Sequence, residues 1–187
     1  VARRIGGRDP DGAARTAGQA LWLGAATALA VGLLGAFMAE DVLRLMGAHE
    51  RVVGIGGGYT AVMLGGAATI VFLFLLNAVF RGAGNPAIAM RALWIANGIN
   101  IVLDPCLIFG IGPFPELGVT GAAIASNCGR GIGVSYLLFR LFCSDSGLRV
   151  MLRHMKPSID LLRGLIAVSP GGIGQFLICL LAASPVP

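Results

Sequence analysis

The chain has 187 residues, of which 56% are hydrophobic and 12% charged, with a formal net charge of +5 and a mean hydropathy of +0.83. Soluble domains carry roughly 25% charged residues, so this chain has too little polar surface to cover a water-soluble fold. Its basic residues cluster at the ends of apolar runs and its aromatics are few (7%), which leaves no base-stacking surface and excludes a nucleic-acid partner.

The expected class is an all-α integral membrane protein, a bundle of transmembrane helices. A polar lead-in with Arg3, Arg4, Arg8 and Arg15 precedes a first span at 17–37, and no charge interrupts Thr16 to Ala39. A short amphipathic turn at 40–51 should lie at the membrane interface. The second span falls within 52–80, where 29 consecutive residues are uncharged; this exceeds the roughly 20 residues a spanning helix needs, so the span is tilted or extends beyond the hydrocarbon core. A turn-forming connector, 81–86, leads to a third span at 92–109. The Pro- and Gly-rich loop 110–118 leads to a fourth at 119–141. A basic connector, 144–163, precedes a fifth apolar stretch at 165–183 that contains Pro170, Gly171 and Gly172. The chain begins with Val1 rather than Met and its last apolar run is interrupted, so it reads as a fragment: bundle helices over 1–143, a cytoplasmic connector over 144–163, and the start of a second bundle over 164–187.

Basic residues support this layout. Eleven of them flank one set of alternate loops and two flank the other. Positively charged loops stay in the cytoplasm, which assigns Arg8, Gly84 and Arg153 to the inside and Pro113 to the outside. The fourteenth basic residue, Arg130, falls inside the fourth span. Gly54 with Gly58, Gly129 with Gly133, and Ala28 with Gly32 have the spacing that lets membrane helices approach closely.

Asp104 is the only acid within these spans. A carboxylate in the bilayer is costly and should face a bundle interior or a wet cavity. Asn97, Asn100 and Asp104 are spaced by three and four residues and so share one helix face. Pro105 lacks an N–H and leaves the carbonyl of Ile101 without its helical donor. One carboxylate, two amides and a free carbonyl suit a proton or a sodium ion; the alternative is a polar cluster that only holds helices together. Asn77 is either an interhelical hydrogen-bonding group or a ligand. Arg130 pairs with Asp104, lines a cavity or is structural, and Thr120, Ser126 and Asn127 are within reach of the same cavity. His49 and His154 are isolated, and Cys106, Cys128, Cys143 and Cys179 lack metal-ligand spacing and read as packing residues. No nucleophile, phosphate-loop or zinc motif occurs, so no enzyme, no cofactor and no metal beyond a sodium ion at Asp104 is expected.

The segments NAVFRGAGNPAIAM (77–90) and NIVLDPCLIFGIGPFPELGVTGAAIAS (100–126) resemble the N-terminal half of the multidrug and toxic compound extrusion family. The lead-in VARRIGGRDPDGAARTAGQA resembles that family's connector between helices two and three, and LLRGLIAVSPGGIGQFL (161–177) the start of its seventh helix. The resemblance implies part of a twelve-helix, two-bundle, multi-pass transporter of the bacterial cell membrane. Such a protein exports cationic or amphipathic drugs in exchange for protons or sodium ions by alternating access. Its partners would be those small molecules, membrane lipid and the remaining helices. It further implies that Asp104, Asn100 and Asn77 form the cation site. The site's other aspartate would lie on the absent first helix. The hydroxyl ligand of the sixth helix would fall near Ala122, with Thr120 and Ser126 on either side. The alternatives are a related lipid-linked oligosaccharide flippase, whose cavity usually holds several basic residues where these spans offer only Arg130, and a non-functional membrane fragment.

Overall fold

The structure, a computed structural model, describes residues 1–143; the basic connector and the fifth apolar stretch lie outside the described residues. These fold into seven helices with no strand among the described residues.

The short helix α1 (Ala2–Gly6) leads into α2 (Pro10–Phe37). The polar lead-in is therefore largely helical. The cause is local: the Asp9 carboxylate accepts a hydrogen bond from the Gly12 N–H at 2.8 Å, and Pro10 supplies a preset φ at the first helical position. The Gly12 N–H, with Arg4 beside it, holds the exposed Asp9 carboxyl below the usual carboxylate range. This cap is complete at neutral pH and is lost only as pH falls through that lowered value. Inside the apolar helix, Thr16 and Thr27 donate their hydroxyls to the carbonyls of Gly12 and Leu23 at 2.8 and 2.9 Å, so neither hydroxyl meets lipid unsatisfied. The 28 residues of α2 reach about 42 Å, enough to cross a bilayer.

The amphipathic turn is the helix α3 (Ala39–Leu45), whose Arg44 is ringed by Glu40, Asp41 and Glu50 at 3.1–3.4 Å. These exposed pairs contribute little to stability. Leu45 and Met46 remain open at 90% and 78% exposure.

The second span departs from expectation. It is two helices, α4 (Glu50–Gly65) and α5 (Ala67–Gly82), bent by 42° at Gly66 rather than one tilted rod. The reason lies in another helix. The amide of Asn127 occupies the space a Gly66 side chain would fill. It donates from Nδ2 to the Val62 carbonyl at 2.8 Å and accepts at Oδ1 from the Thr69 hydroxyl at 3.0 Å. Insertion of a side chain beside a glycine is a recognised cause of sharp helix bends.

Helix α6 (Pro86–Phe109) contains Pro105 and ends at Gly110 in the left-handed conformation (φ 67°), after which α7 (Gly118–Cys143) returns antiparallel. These two make the most extensive helix contact. Gly121, Ala125, Gly129 and Gly133 recur every four residues and are all buried. A side chain at Gly121 would overlap the Leu107 carbonyl, one at Gly129 would lie 2.6 Å from the Ala96 carbonyl oxygen, and one at Gly133 would lie 3.1 Å from the Ala96 Cβ. Gly32 packs on the Gly65 carbonyl and Gly58 on Thr120, but Gly54 has no neighbour there. The expected packing role holds for α6 and α7 and not for Gly54 among the described residues.

By length and apolarity together, α2 and α6 qualify as membrane spans, and the bent α4–α5 pair makes a third. The 26-residue α7 has the length but is less apolar, because Ser126, Asn127 and Arg130 lie in its middle. The largest buried cluster joins Ala13, Ala14, Ala17 and Leu21 of α2, Leu76 and Phe80 of α5, Ile88 and Ala92 of α6, and Leu137 and Leu141 of α7. It brings the start of α2, the end of α5, the start of α6 and the end of α7 to one end of the bundle. The alternating up-and-down course follows directly, with loop 110–118 at the opposite end. Leu34, Phe37, Trp94, Ile101 and Phe109 are largely exposed, an apolar exterior suited to lipid or to further helices.

Candidate cation and solute site

Three helices, α5, α6 and α7, line an open-sided cavity of about 320 Å³. Asn97, Asn100, Ser126 and Arg130 supply its polar lining, and Ile70, Leu73, Phe74, Leu93 and Ala96 its apolar walls. The absence of side chains at Gly129 and Gly133 determines this geometry. The two backbones come close enough for the Asn100 Cβ to lie 3.4 Å from where a Gly129 Cβ would stand.

At that crossing Asn100 Nδ2 donates to Asp104 Oδ1 at 3.2 Å and reaches Ser126 Oγ at 3.3 Å. Both contacts are long for N–H···O bonds. The pair expected from the four-residue spacing is thus in contact, with Ser126 added from α7. Asp104 itself sits one turn beyond the cavity lining, half-buried. Asn97 lines the cavity but is exposed.

Asn77 is not joined to this group by any hydrogen bond among the described residues. It is 4% exposed, donates from Nδ2 to the Leu73 carbonyl of its own helix at 2.7 Å, and leaves Oδ1 buried without a partner among the described residues. A buried acceptor with no donor is costly and has the chemistry to receive a cation. Thr120 lies elsewhere, against Gly58 of α4 rather than in the cavity. Arg130 makes no ion pair with Asp104 among the described residues, and its Nη1 is buried without a hydrogen-bond partner.

Sequence reasoning missed the part played by Thr69, which with Asn127 holds the break of the second span. The signal was faint: Asn127 stood out only as one of several polar residues in the fourth span. It also missed Gln19, buried in α2 at 1% exposure.

The family model described as MatE matches residues 1–106. The chain belongs to the MatE family. Multidrug export protein MepA of Staphylococcus aureus (strain MRSA252) is 25% identical over 181 residues, which cover 97% of this chain and 39% of that protein. A Shewanella oneidensis FAD transporter is 39% identical over 93 residues, 50% of this chain and 21% of the relative. Among solved structures, an inward-facing multidrug resistance MATE family transporter superposes with a TM-score of 0.79 at 33% identity, over 89% of this chain and 37% of its own. A MOP superfamily transporter from Pyrococcus furiosus gives 0.77 at 34%, over 86% and 35%. The chain therefore spans about 39% of the length of the curated MatE relatives it matches along nearly its whole length. The MatE assignment and these superpositions establish an all-α membrane fold.

Proposed function

We propose that the complete protein containing this chain is a multi-pass transporter of the cell membrane that exports amphipathic small molecules, drug-like cations among them, in exchange for protons or sodium ions. The observation that carries this reading is the Asp104–Asn100–Ser126 group beside a cavity in a MatE bundle. Asp104 would take the coupling ion, Asn100 would offer a second oxygen, and the unpartnered Asn77 Oδ1 a third. All are hard oxygen donors, suited to a proton or sodium rather than a softer metal. The names of relatives, a multidrug exporter and an FAD transporter, support solute export in general and leave the solute class open.

The test is efflux of ethidium from proteoliposomes holding the complete protein, under an imposed proton or sodium gradient. One of the two gradients should drive efflux that stops when that gradient is collapsed; efflux indifferent to both would refute coupling. Asn100→Ala should raise the concentration of coupling ion needed for half-maximal efflux by about tenfold, close to 1.4 kcal/mol, and change ethidium affinity less.

Sidedness follows from the basic-residue bias and is checked separately. In a background without native cysteines, Pro113→Cys should react with a membrane-impermeant thiol reagent added outside, and Ala83→Cys should not. The opposite pattern would invert the orientation.

A further inference from the structure

We propose that Asn127 is a positioning residue that couples the ion group to the α5 wall of the cavity, so that the bend at Gly66 follows what Asp104 and Asn100 hold. The inference rests on the transporter reading above and adds the route by which ion and solute sense each other. Ser126 and Asn127 are consecutive on α7, so about 100° of helical turn separates their side chains. Ser126 Oγ meets Asn100 Nδ2 of α6 at 3.3 Å. Asn127 faces the second span, where its Nδ2 donates to the Val62 carbonyl of α4 at 2.8 Å and its Oδ1 lies 3.0 Å from the Thr69 hydroxyl of α5. A single turn of α7 thus touches the ion group on one side and both arms of the bend on the other.

The cavity depends on that bend. Ile70, Leu73 and Phe74 follow Thr69 on α5 and form one wall. Phe74 stands about 12 Å along the helix from Gly66. A change of about 10° in the 42° bend would therefore displace it by about 2 Å, enough to alter how a solute packs. The other side of α7 is stiff, because side chains at Gly121 or Gly129 would run into the backbone of α6. An ion held by the Asp104 carboxylate and the Asn100 carbonyl oxygen reorients the Asn100 amide, whose Nδ2 touches both Asp104 Oδ1 and Ser126 Oγ. Ser126 passes that change to α7, and Asn127 delivers it to the bend. By linkage, a solute that presses on the α5 wall changes ion affinity by the same factor.

The test is equilibrium binding of ethidium to the complete purified protein in detergent, followed by fluorescence. Affinity is measured in sodium-free and sodium-saturated buffer, and again at alkaline and acid pH. For wild type, one of these pairs should give affinities that differ by about tenfold. Asn127→Ala should bring that ratio to within about twofold of one while still binding ethidium. An Asn127 that merely holds the fold would lower affinity in both buffers and leave the ratio unmoved, which would overturn the proposal. Thr69 keeps the question decidable if Asn127→Ala does not fold. Thr69→Val, which keeps the shape and loses the hydroxyl, should shrink the ratio, and Thr69→Ser should retain it; a wild-type ratio in Thr69→Val overturns the proposal. A wild-type ratio of one in every buffer would defeat the antiport reading and this inference with it. A tenfold ratio that survives Asn127→Ala would defeat this inference alone.

Discussion

Asp104→Asn in the complete transporter is expected to abolish gradient-driven export while leaving membrane insertion and folded yield close to wild type. The substitution keeps the side chain's volume and an acceptor oxygen for Asn100 Nδ2, the contact that Asp104 makes at 3.2 Å. What it removes is the ability to alternate between charged and neutralised forms. A coupled exchanger needs a group that takes an ion on one side and releases it on the other, and only a differential interaction with the two conformations can transmit that event. Drug binding at equilibrium should survive, because Asp104 lies beyond the cavity lining and no lining group changes. The comparison is efflux from proteoliposomes beside the yield of monodisperse protein in detergent. Full gradient-driven efflux by Asp104→Asn would show that the residue is structural and would remove the central functional claim.

Gly129→Ala is expected to destabilise the protein by about 1–3 kcal/mol, whereas Gly131→Ala should leave it unchanged or slightly more stable. Both positions lie on α7, and both changes add one methyl group. At Gly129 that carbon would stand 2.6 Å from the Ala96 carbonyl oxygen, and backbone cannot swing aside as a side-chain tip can. At Gly131 nothing lies within 4 Å, so only the better helix propensity of alanine over glycine is felt, up to about 1 kcal/mol. Parting α6 from α7 would also separate Asn100 from Ser126, so the damaged variant should lose ion dependence as well as thermal stability. Thermal unfolding in detergent decides the matter, and equal midpoints for the two variants would contradict the close-packed interface.

Charge-free runs made the helical spans legible before any coordinates, since lipid forces backbone groups to pair within the segment. The four-residue interval between Asn100 and Asp104 was equally plain, because both residues sit on one helix and helical geometry alone brings them together. What stayed hidden depends on partners distant in sequence. The 29 uncharged residues of the second span give no hint of a break, because the side chain that fits against Gly66 belongs to α7. Thr120, a candidate cavity residue by position on its helix, instead lies against Gly58 of α4, a placement that depends on how α7 packs on its neighbours. The start of α2 is written in Asp9-Pro10, a helix-initiation signal that carries the helix back into the basic lead-in.

The bend at Gly66 behaves as a pinned joint. Straightening the span would have to pull Asn127 away from Val62 and Thr69 together, forfeiting a hydrogen bond of about 1 kcal/mol to Val62 and a share of the Thr69 hydroxyl proton, which the Gly66 carbonyl also accepts at 2.8 Å, and leaving an amide with no water to receive it. The elbow is accordingly rigid in the absence of a competing partner for that amide. A rotation of α7 would therefore act on both arms of the elbow at once, through Val62 on one arm and Thr69 on the other.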